Sequence, residues 1–461
     1  MEVEIISRET LKPSLPTPEH FRTYKLCLFD QLAPPVYIPV TLFYSAGDEN
    51  HPGGNSDHLK ESLSRILTHY YPFAGRLNGD GLTVDCNDEG AVFVEARVSC
   101  EMSFVVDEPE NEVLQRLLPL NPHGHQAPSS AGGDDPVMLG VQVNYFACGG
   151  VAIGVCISHV IADGAAAAGF LKAWARFACG SPDTIETESV VYDCGSRFPP
   201  QDLTEFHRVM NPINEKAYVP LPAKDLVPKR FRFDGRKIAA LRNEIRDESS
   251  RYHPTRVEAV IALIWEALIA ATETEAEAEA EAEAKANAIP QPPITVIGNS
   301  VNLRQRMNPA LPQQCIGNVS FLVTSLDEKT KNRSSLAKRI RQSVNARDDE
   351  CKREIMYMGT GDWLNDFTKK VCEEFEKDSK MGQFFFVSWC RFPFYEADFG
   401  WGKPVWVEGG LKTNRTAIFL DSSDGEGMEA WITLSREEME KLEQQQGIVA
   451  YSTFRPSGQR C

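Results

Sequence analysis

The sequence lacks the features that direct a chain into the secretory pathway or into a membrane. Its first ten residues, MEVEIISRET, carry acidic side chains where a signal peptide has basic ones, and no apolar segment follows them. No uninterrupted apolar run approaches the roughly 18 residues that a membrane-spanning helix needs. We therefore expect a cytoplasmic protein with no membrane partner.

Excess basic charge and paired metal ligands are also lacking. The 461 residues include 48 Lys and Arg against 65 Asp and Glu, and the net charge of −17 argues against a nucleic-acid partner. The 12 cysteines are scattered, with no C-x-x-C and no paired Cys/His spacing. We predict no metal site and no disulfide framework, and interpret the cysteines as thiols in a reducing compartment.

Three common catalytic motifs are missing too. The chain contains no G-x-S-x-G, no H-E-x-x-H and no Walker A loop. No activated serine or cysteine nucleophile is indicated. The strongest remaining candidate for chemistry is the heptapeptide SHVIADG at residues 158–164, which pairs a histidine with an aspartate four residues later.

What is present indicates two domains of mixed α+β type. Periodicity is lost and proline accumulates between 181 and 225, which is typical of a linker. We predict an N-terminal domain at 1–180, a crossover linker at 181–225 and a C-terminal domain at 226–461. Hairpins mixed with helices argue against a doubly wound parallel sheet.

Hydrophobic periodicity places the main elements of the first half. Residues 35–44 are predicted to form a strand, at a sheet edge because of its prolines. A tight hairpin is predicted to turn at residues 148–150, followed by a helix after SHVIADG. An amphipathic helix ending at Pro72 is predicted from an apolar stripe of Leu59, Leu63, Ile66, Leu67 and Tyr70.

A segment of alternating Glu and Ala at 273–285 is of low complexity. Like charges four residues apart weaken a helix by roughly 0.2–0.5 kcal/mol per pair. We interpret the segment as a solvated insertion between a helix and a strand, with an acidic contact surface as the alternative.

His159 lies where the second arm of the predicted hairpin ends. Strand alternation puts it on the apolar face, whereas the opposite face of this arm carries only small residues and is expected to pack closely against a neighbour. A histidine with an ordinary pKa of about 6.5 is mostly neutral in the cytosol and can take a proton from a hydroxyl. The alternative is a core histidine whose ring nitrogens are satisfied by backbone groups.

Several long strings resemble the BAHD acyl-CoA-dependent acyltransferases of plants. The resemblance extends essentially from end to end, and only the Glu-Ala insertion is foreign to it. Within the family, the chain is most similar to the enzymes that acetylate alkaloids and triterpenoids of the limonoid type. The strings are YYPFAGRL (70–77), SHVIADG (158–164), SVNLRQRMNPALP (300–312), CIGNVSF (315–321) and SWCRFPFYEADFGWGKP (388–404).

The resemblance implies a fold and an activity. The expected fold has two similar chloramphenicol-acetyltransferase-like domains with a solvent channel between them, the first carrying H-x-x-x-D and the second D-F-G-W-G, in a monomer. The expected reaction transfers an acyl group, acetyl from acetyl-CoA, to a hydroxyl of a plant specialised metabolite within a ternary complex, with no permanently bound cofactor. The motifs leave open transfer of a bulkier acyl group, hydroxycinnamoyl or benzoyl, to an alcohol or amine. They also leave open a non-catalytic relative that only binds a small molecule.

The resemblance also implies roles for the residues of the heptapeptide. His159 would deprotonate the acceptor hydroxyl as general base. Asp163 would turn away from the site and pair with Arg304, supporting the catalytic loop together with Gly164. A triad, in which Asp163 orients the imidazole, is the alternative.

Four further candidates come from the second half. Asp398 of D-F-G-W-G is grouped with His159 by the resemblance, although the surrounding glycines and aromatics favour a structural turn. Ser388 and Trp389 are candidate donors to the oxyanion, with core packing as the alternative for Trp389. Thr255 is predicted to begin a helix whose N-terminus binds phosphates of CoA.

Overall fold

The structure of the chain is a computed structural model. It describes residues 1–46, 56–124, 136–180, 194–204, 206, 225–247, 251–279, 294–312, 315–326, 332–354 and 382–454. None of the helices within these residues is long and apolar enough to cross a bilayer.

The chain divides into two compact units, and neither is continuous in sequence. Unit 1 contains Met1–Pro200, Asn302–Ser320 and Arg391–Leu411, and unit 2 contains the remainder. This differs from the predicted division at 181–225, because two segments of the second half return to unit 1. D-F-G-W-G therefore lies in unit 1, together with the heptapeptide.

The strands of unit 1 form a six-stranded mixed sheet and a three-stranded sheet. The order of the larger sheet is β1-β6-β7-β8-β3-β13, with only β6 and β7 parallel, and the smaller has the order β2-β5-β4. The strands are β1 Val3–Leu11, β2 Thr23–Lys25, β3 Tyr37–Tyr44, β4 Arg76–Leu77, β5 Thr83–Asp85, β6 Ala91–Val98, β7 Leu139–Phe146, β8 Val151–Ser158 and β13 Trp406–Gly409.

The helices of unit 1 follow the apolar pattern of the sequence. The predicted stripe on α2 is buried, with Leu63 and Ile66 fully enclosed. The helix that follows the heptapeptide, α5, buries its small and aromatic residues alike. The helices are α1 Leu28–Leu32, α2 Ser56–Leu67, α3 Met102–Asp107, α4 Asn111–Gln115, α5 Gly164–Ala178 and α6 Cys194–Arg197.

Unit 2 contains a second six-stranded mixed sheet, with helices that supply much of its core. Its order is β11-β10-β12-β14-β15-β9, and β10, β12 and β14 run parallel. The strands are β9 Leu226–Phe233, β10 Ile294–Asn302, β11 Ser320–Leu326, β12 Gly382–Ser388, β14 Thr416–Asp421 and β15 Met428–Ser435. The helices are α7 Gly235–Ile245, α8 Arg256–Glu279, α9 Arg333–Glu354, α10 Arg436–Gln444 and α11 Gln446–Tyr451.

The mixed α/β class predicted from the sequence is confirmed, and so is the hairpin of β7 and β8. Gly149 takes φ +82° at its turn, a conformation that glycine adopts without a steric penalty. The predicted edge position of β3 was wrong, because β8 and β13 flank it on its two sides. Pro39 is tolerated there because its carbonyl accepts from the N–H of Gly410, one residue beyond the end of β13, so its missing N–H faces the point where this short strand has ended.

The Glu-Ala segment lies partly outside the described residues. Its first part continues α8, which ends at Glu279. The apolar part of α8 ends near Ala271, but the helix continues for at least two further turns. The like charges that were predicted to weaken a helix therefore do not end it there.

Candidate active site

His159 follows directly on β8, and hydrogen bonds hold both its backbone N–H and its carbonyl. Its N–H donates to the carbonyl of Val36 at 2.9 Å, and its carbonyl accepts from Nδ2 of Asn318 at 2.7 Å. The side chain is half-buried. Its Nδ1 atom is buried and finds no hydrogen-bond partner among the residues that the structure describes. The two hydrogen bonds to the backbone of His159 therefore fix the position of the residue that carries the imidazole.

The face of β8 opposite to His159 packs as closely as the small residues predicted. A Cβ placed on Gly154 would lie 2.0 Å from the carbonyl oxygen of Leu117. The thiol of Cys156 on the same face donates to the carbonyl of Leu120 at 3.5 Å. Burial raises the pKa of Cys156 to about 12, so this thiol is protonated and unsuited to nucleophilic attack.

Burial sets the protonation state of His159. Removal from water lowers the pKa of the imidazole below its ordinary value, because it disfavours the charged form. The backbone of His159 itself, the negative charge of Asp163 and the side chain of Asn318 oppose this effect without cancelling it. The imidazole is therefore neutral near pH 7 and able to accept a proton.

Asp163 is the N-cap of α5, and each of its carboxylate oxygens is already engaged. Oδ1 accepts from the N–H of Ala166 at 2.9 Å. Oδ2 accepts from Nη1 of Arg304 at 2.8 Å and from the N–H of Val319 at 3.0 Å. Burial alone would raise the pKa of Asp163, but Arg304 and these N–H groups outweigh it, and the pKa lies below its ordinary value. Asp163 is a charged structural partner and makes no hydrogen bond with His159.

Arg304 is fully buried at 0% exposure. Besides Asp163, its guanidinium donates through Nη2 to the carbonyls of Cys315 at 3.0 Å and Gly317 at 2.9 Å. The ion pair expected between Asp163 and Arg304 is thus present, and it ties the start of α5, where Gly164 is the first residue, to the segment 315–319. A charge pair this deep is stable only with such additional hydrogen bonds.

D-F-G-W-G forms a packed turn around Asp398. Its Oδ1 accepts from the N–H groups of Gly400 at 2.8 Å and Gly402 at 2.9 Å, and both glycines have φ near +90°. Phe399 is buried and packs edge-on against Trp174 of α5, with ring centroids 4.8 Å apart. These contacts favour the structural interpretation of Asp398.

Ser388 and Trp389 lie at the end of β12 in unit 2. The Trp389 side chain is 6% exposed, and its backbone N–H donates to the carbonyl of Phe419 at 2.9 Å. Ser388 is half-buried, and its hydroxyl interacts with the thiol of Cys390. Strand β12 thus places an indole and a hydroxyl at its carboxyl end, as the sequence indicated.

The helix N-terminus at Thr255 is closed by the protein's own carboxylate. Thr255 and Glu258 form the predicted capping box, with hydrogen bonds of 2.7 and 3.1 Å. Arg341 donates to the same Glu258 through Nε at 2.8 Å. A phosphate at this N-terminus would have to displace Glu258, which weakens Thr255 as a CoA contact.

A known protein family matches almost the whole chain. The family model described as Transferase family matches residues 1–448. Epi-neemfruitin B synthase of Melia azedarach is 42% identical over 98% of this chain and 99% of its own length. Limonoid 21-O-acetyltransferase of Citrus sinensis is 41% identical, covering 99% of this chain and 100% of its own length.

A solved structure agrees. The crystal structure of vinorine synthase is 33% identical and superimposes with a TM-score of 0.75, covering 98% of each chain. The chain belongs to the BAHD acyltransferases. It is an acyl-CoA-dependent O-acyltransferase, and acyl-CoA is its co-substrate.

In this BAHD acyltransferase, sequence reasoning missed Asn318, which contacts the His159 loop, and Asp30, which contacts Asn318. Both side chains are almost fully buried, at 1% and 3% exposure. The sequence contains a feature that could have identified each residue. Asp30 is the lone acid in the apolar run CLFDQL, and Asn318 belongs to CIGNVSF. A buried polar residue implies a specific partner, but the partner itself is not readable from the string.

Proposed function

We propose that the enzyme transfers an acetyl group from acetyl-CoA to a hydroxyl of a plant specialised metabolite, a limonoid or an alkaloid, with His159 as general base. Similarity to limonoid 21-O-acetyltransferase over essentially the whole chain supports the donor and the acceptor class. The state of His159, a half-buried neutral imidazole whose neighbour Asp163 is committed elsewhere, supports its role and carries the proposal.

The reaction proceeds by direct transfer. The unprotonated ring nitrogen of His159 takes the proton of the acceptor hydroxyl while the hydroxyl oxygen attacks the thioester carbonyl. The tetrahedral intermediate collapses by breaking its C–S bond, and the imidazolium returns the proton to the CoA thiolate. Because thiols have an ordinary pKa of about 8.5, this leaving group needs little assistance.

The negative oxygen of the tetrahedral intermediate requires a hydrogen-bond donor. Ser388 and Trp389 are the proposed donors. Ser388 is the last residue of β12 and Trp389 follows it, and each carries a suitable O–H or N–H group. No acyl-enzyme forms in this scheme, since Cys156, the cysteine nearest to His159 in sequence, is a buried thiol with a raised pKa.

The test is turnover of acetyl-CoA, benzoyl-CoA and a hydroxycinnamoyl-CoA against panels of limonoid and alkaloid alcohols, with products identified by mass spectrometry. We expect acetyl-CoA to be consumed with at least one alcohol and the initial-rate lines to intersect, as in a ternary complex. Parallel lines would contradict direct transfer. Binding of CoA without consumption of any thioester would favour a non-catalytic relative.

A further inference from the structure

The carbonyl of His159 is fixed by a side chain from a distant part of unit 1. Nδ2 of Asn318 donates to it at 2.7 Å across 159 residues of sequence. The next residues along the same segment repeat this pattern: Gly317 N–H donates to the carbonyl of Ile161 at 3.0 Å, and Val319 N–H donates to Asp163. The segment 317–319 thus runs beside the whole loop from His159 to Asp163.

Asn318 is itself held by a buried carboxylate. Oδ1 of Asp30 accepts from the backbone N–H of Asn318 at 2.7 Å and from its Nδ2 at 2.9 Å, while Oδ2 accepts from the N–H of Cys27 at 2.8 Å. No ion pair to Asp30 is found within the described part of the chain. Burial raises the pKa of Asp30 above its ordinary value, and the N–H donors only partly oppose it. Burying the carboxylate of Asp30 therefore lowers the stability of the folded protein, which implies that this residue has a specific role.

The geometry of the Asn318 side-chain amide explains why a carboxylate is buried at position 30. A primary amide has two N–H bonds, and those of Asn318 point to Asp30 Oδ1 and to the carbonyl of His159. A flipped amide would direct its oxygen at these two acceptors and lose both hydrogen bonds. A carboxylate only accepts when ionised, so Asp30 fixes which way the amide faces. The orientation of the His159 peptide, and with it the direction of its Cα–Cβ bond, follows from this choice.

We propose that Asn318 is a positioning residue for His159, oriented by Asp30, and that this contact sets the aim of the imidazole at the acceptor hydroxyl. The inference rests on the proposed function of His159 for its kinetic consequence, but its structural consequence is independent of that function. It differs from the pair of Asp163 and Arg304, which holds the other end of the loop.

The decisive variant is Asn318→Leu, which keeps the approximate size and removes the donor. Its matched control is Asn144→Leu. Asn144 is a fully buried asparagine of β7 in the same unit, and its Nδ2 donates to the carbonyls of Leu117 and Ala152, away from the loop. Each variant is measured for thermal stability and for kcat and KM. The NMR resonance of the His159 imidazole is also recorded, and it is assigned by its disappearance in His159→Gln.

Both variants should lose stability, because each leaves buried backbone acceptors unpaired. Only Asn318→Leu should also lower kcat, by roughly 10- to 100-fold, with the KM for acetyl-CoA little changed, since a misaimed catalytic group affects the reacting geometry. Only this variant should shift or broaden the His159 resonance. Native kcat together with an unmoved resonance in Asn318→Leu would overturn the proposal, and so would equal changes in the control.

Asp30→Asn keeps the inference testable if Asn318→Leu does not fold. It leaves Asn318 in place but substitutes an amide for the carboxylate that orients it, so the His159 resonance should move and kcat should fall by less than in Asn318→Leu. An unmoved resonance would remove Asp30 from the proposal. If the native enzyme acetylates no acceptor but the resonance still responds only to positions 30 and 318, the proposed function fails and the positioning role stands.

Discussion

SHVIADG and D-F-G-W-G each contain one aspartate, but the surroundings of the two carboxylates differ. Asp163 is 5% exposed and bound to a guanidinium as well as to backbone N–H groups. Asp398 is half-buried, and its carboxylate accepts from the N–H groups of Gly400 and Gly402 in its own turn. One aspartate ties the loop of His159 to a distant segment, whereas the other closes a local turn whose aromatics fill the core.

This difference teaches that a conspicuous acid beside a catalytic motif need not act in proton transfer. Both carboxylates accept hydrogen bonds that hold local structure, Asp163 through both oxygens and Asp398 through Oδ1. In the proposed mechanism the proton therefore moves only through His159. Substitutions at each motif test this difference between the two aspartates.

The largest effect on turnover is expected at His159 itself. His159→Ala should lose roughly 10²–10⁴-fold in kcat, which is the usual contribution of a general base. The affinity for CoA, measured by isothermal titration calorimetry, and the melting temperature should remain near native values. Residual activity close to that of the native enzyme would exclude proton transfer by this imidazole.

Arg304→Met tests the buried ion pair. Removing the guanidinium leaves Asp163 charged and uncompensated, which should cost roughly 3–5 kcal/mol in the free energy of unfolding, measured with urea. The double variant with Asp163→Asn should recover part of this loss, because asparagine also caps a helix well and carries no charge. Equal stability of Arg304→Met and the native enzyme would contradict the assigned role.

Asp398 should show a smaller and chemically different response. Asp398→Ala removes the acceptor for two exposed backbone N–H groups, which water can replace in part, and should cost about 1 kcal/mol of stability. Asp398→Asn retains an oxygen that can accept from Gly400 and Gly402, so its kcat should stay close to native. A large loss of kcat in a stable Asp398→Asn variant would show that the charge itself is needed.

The smallest effect concerns pH. Because burial lowers the pKa of His159, the imidazole stays neutral, and kcat/KM stays high, down to a pH below the ordinary histidine value of about 6.5. Below that point protonation removes the base and the rate falls. A profile of kcat/KM against pH measures this acidic limb, which Asp398→Asn should leave in place. A limb above the ordinary value would disagree with the burial of His159.

The local sequence pattern was sufficient to predict several secondary-structure elements and a helix cap. The hairpin of β7 and β8, the apolar stripe of α2 and the capping box of Thr255 and Glu258 all depend on neighbours within a few residues. The pairing of Asp163 with Arg304 was available only through the family resemblance. The domain boundaries were less accessible, because strand β13 and the segment of Arg304 join unit 1 through contacts that span hundreds of residues.

The sequence by itself determined the family, the mixed α/β class and the identity of the candidate base, since motifs and hydrophobic periodicity are properties of short strings. Only the tertiary structure decided what holds that base. Asp30, His159 and Asn318 are separated by more than 120 residues at each step, and they meet because the chain returns twice to the same region of unit 1. Buried polar groups must find hydrogen-bond partners, but which partner each one finds depends on the completed fold.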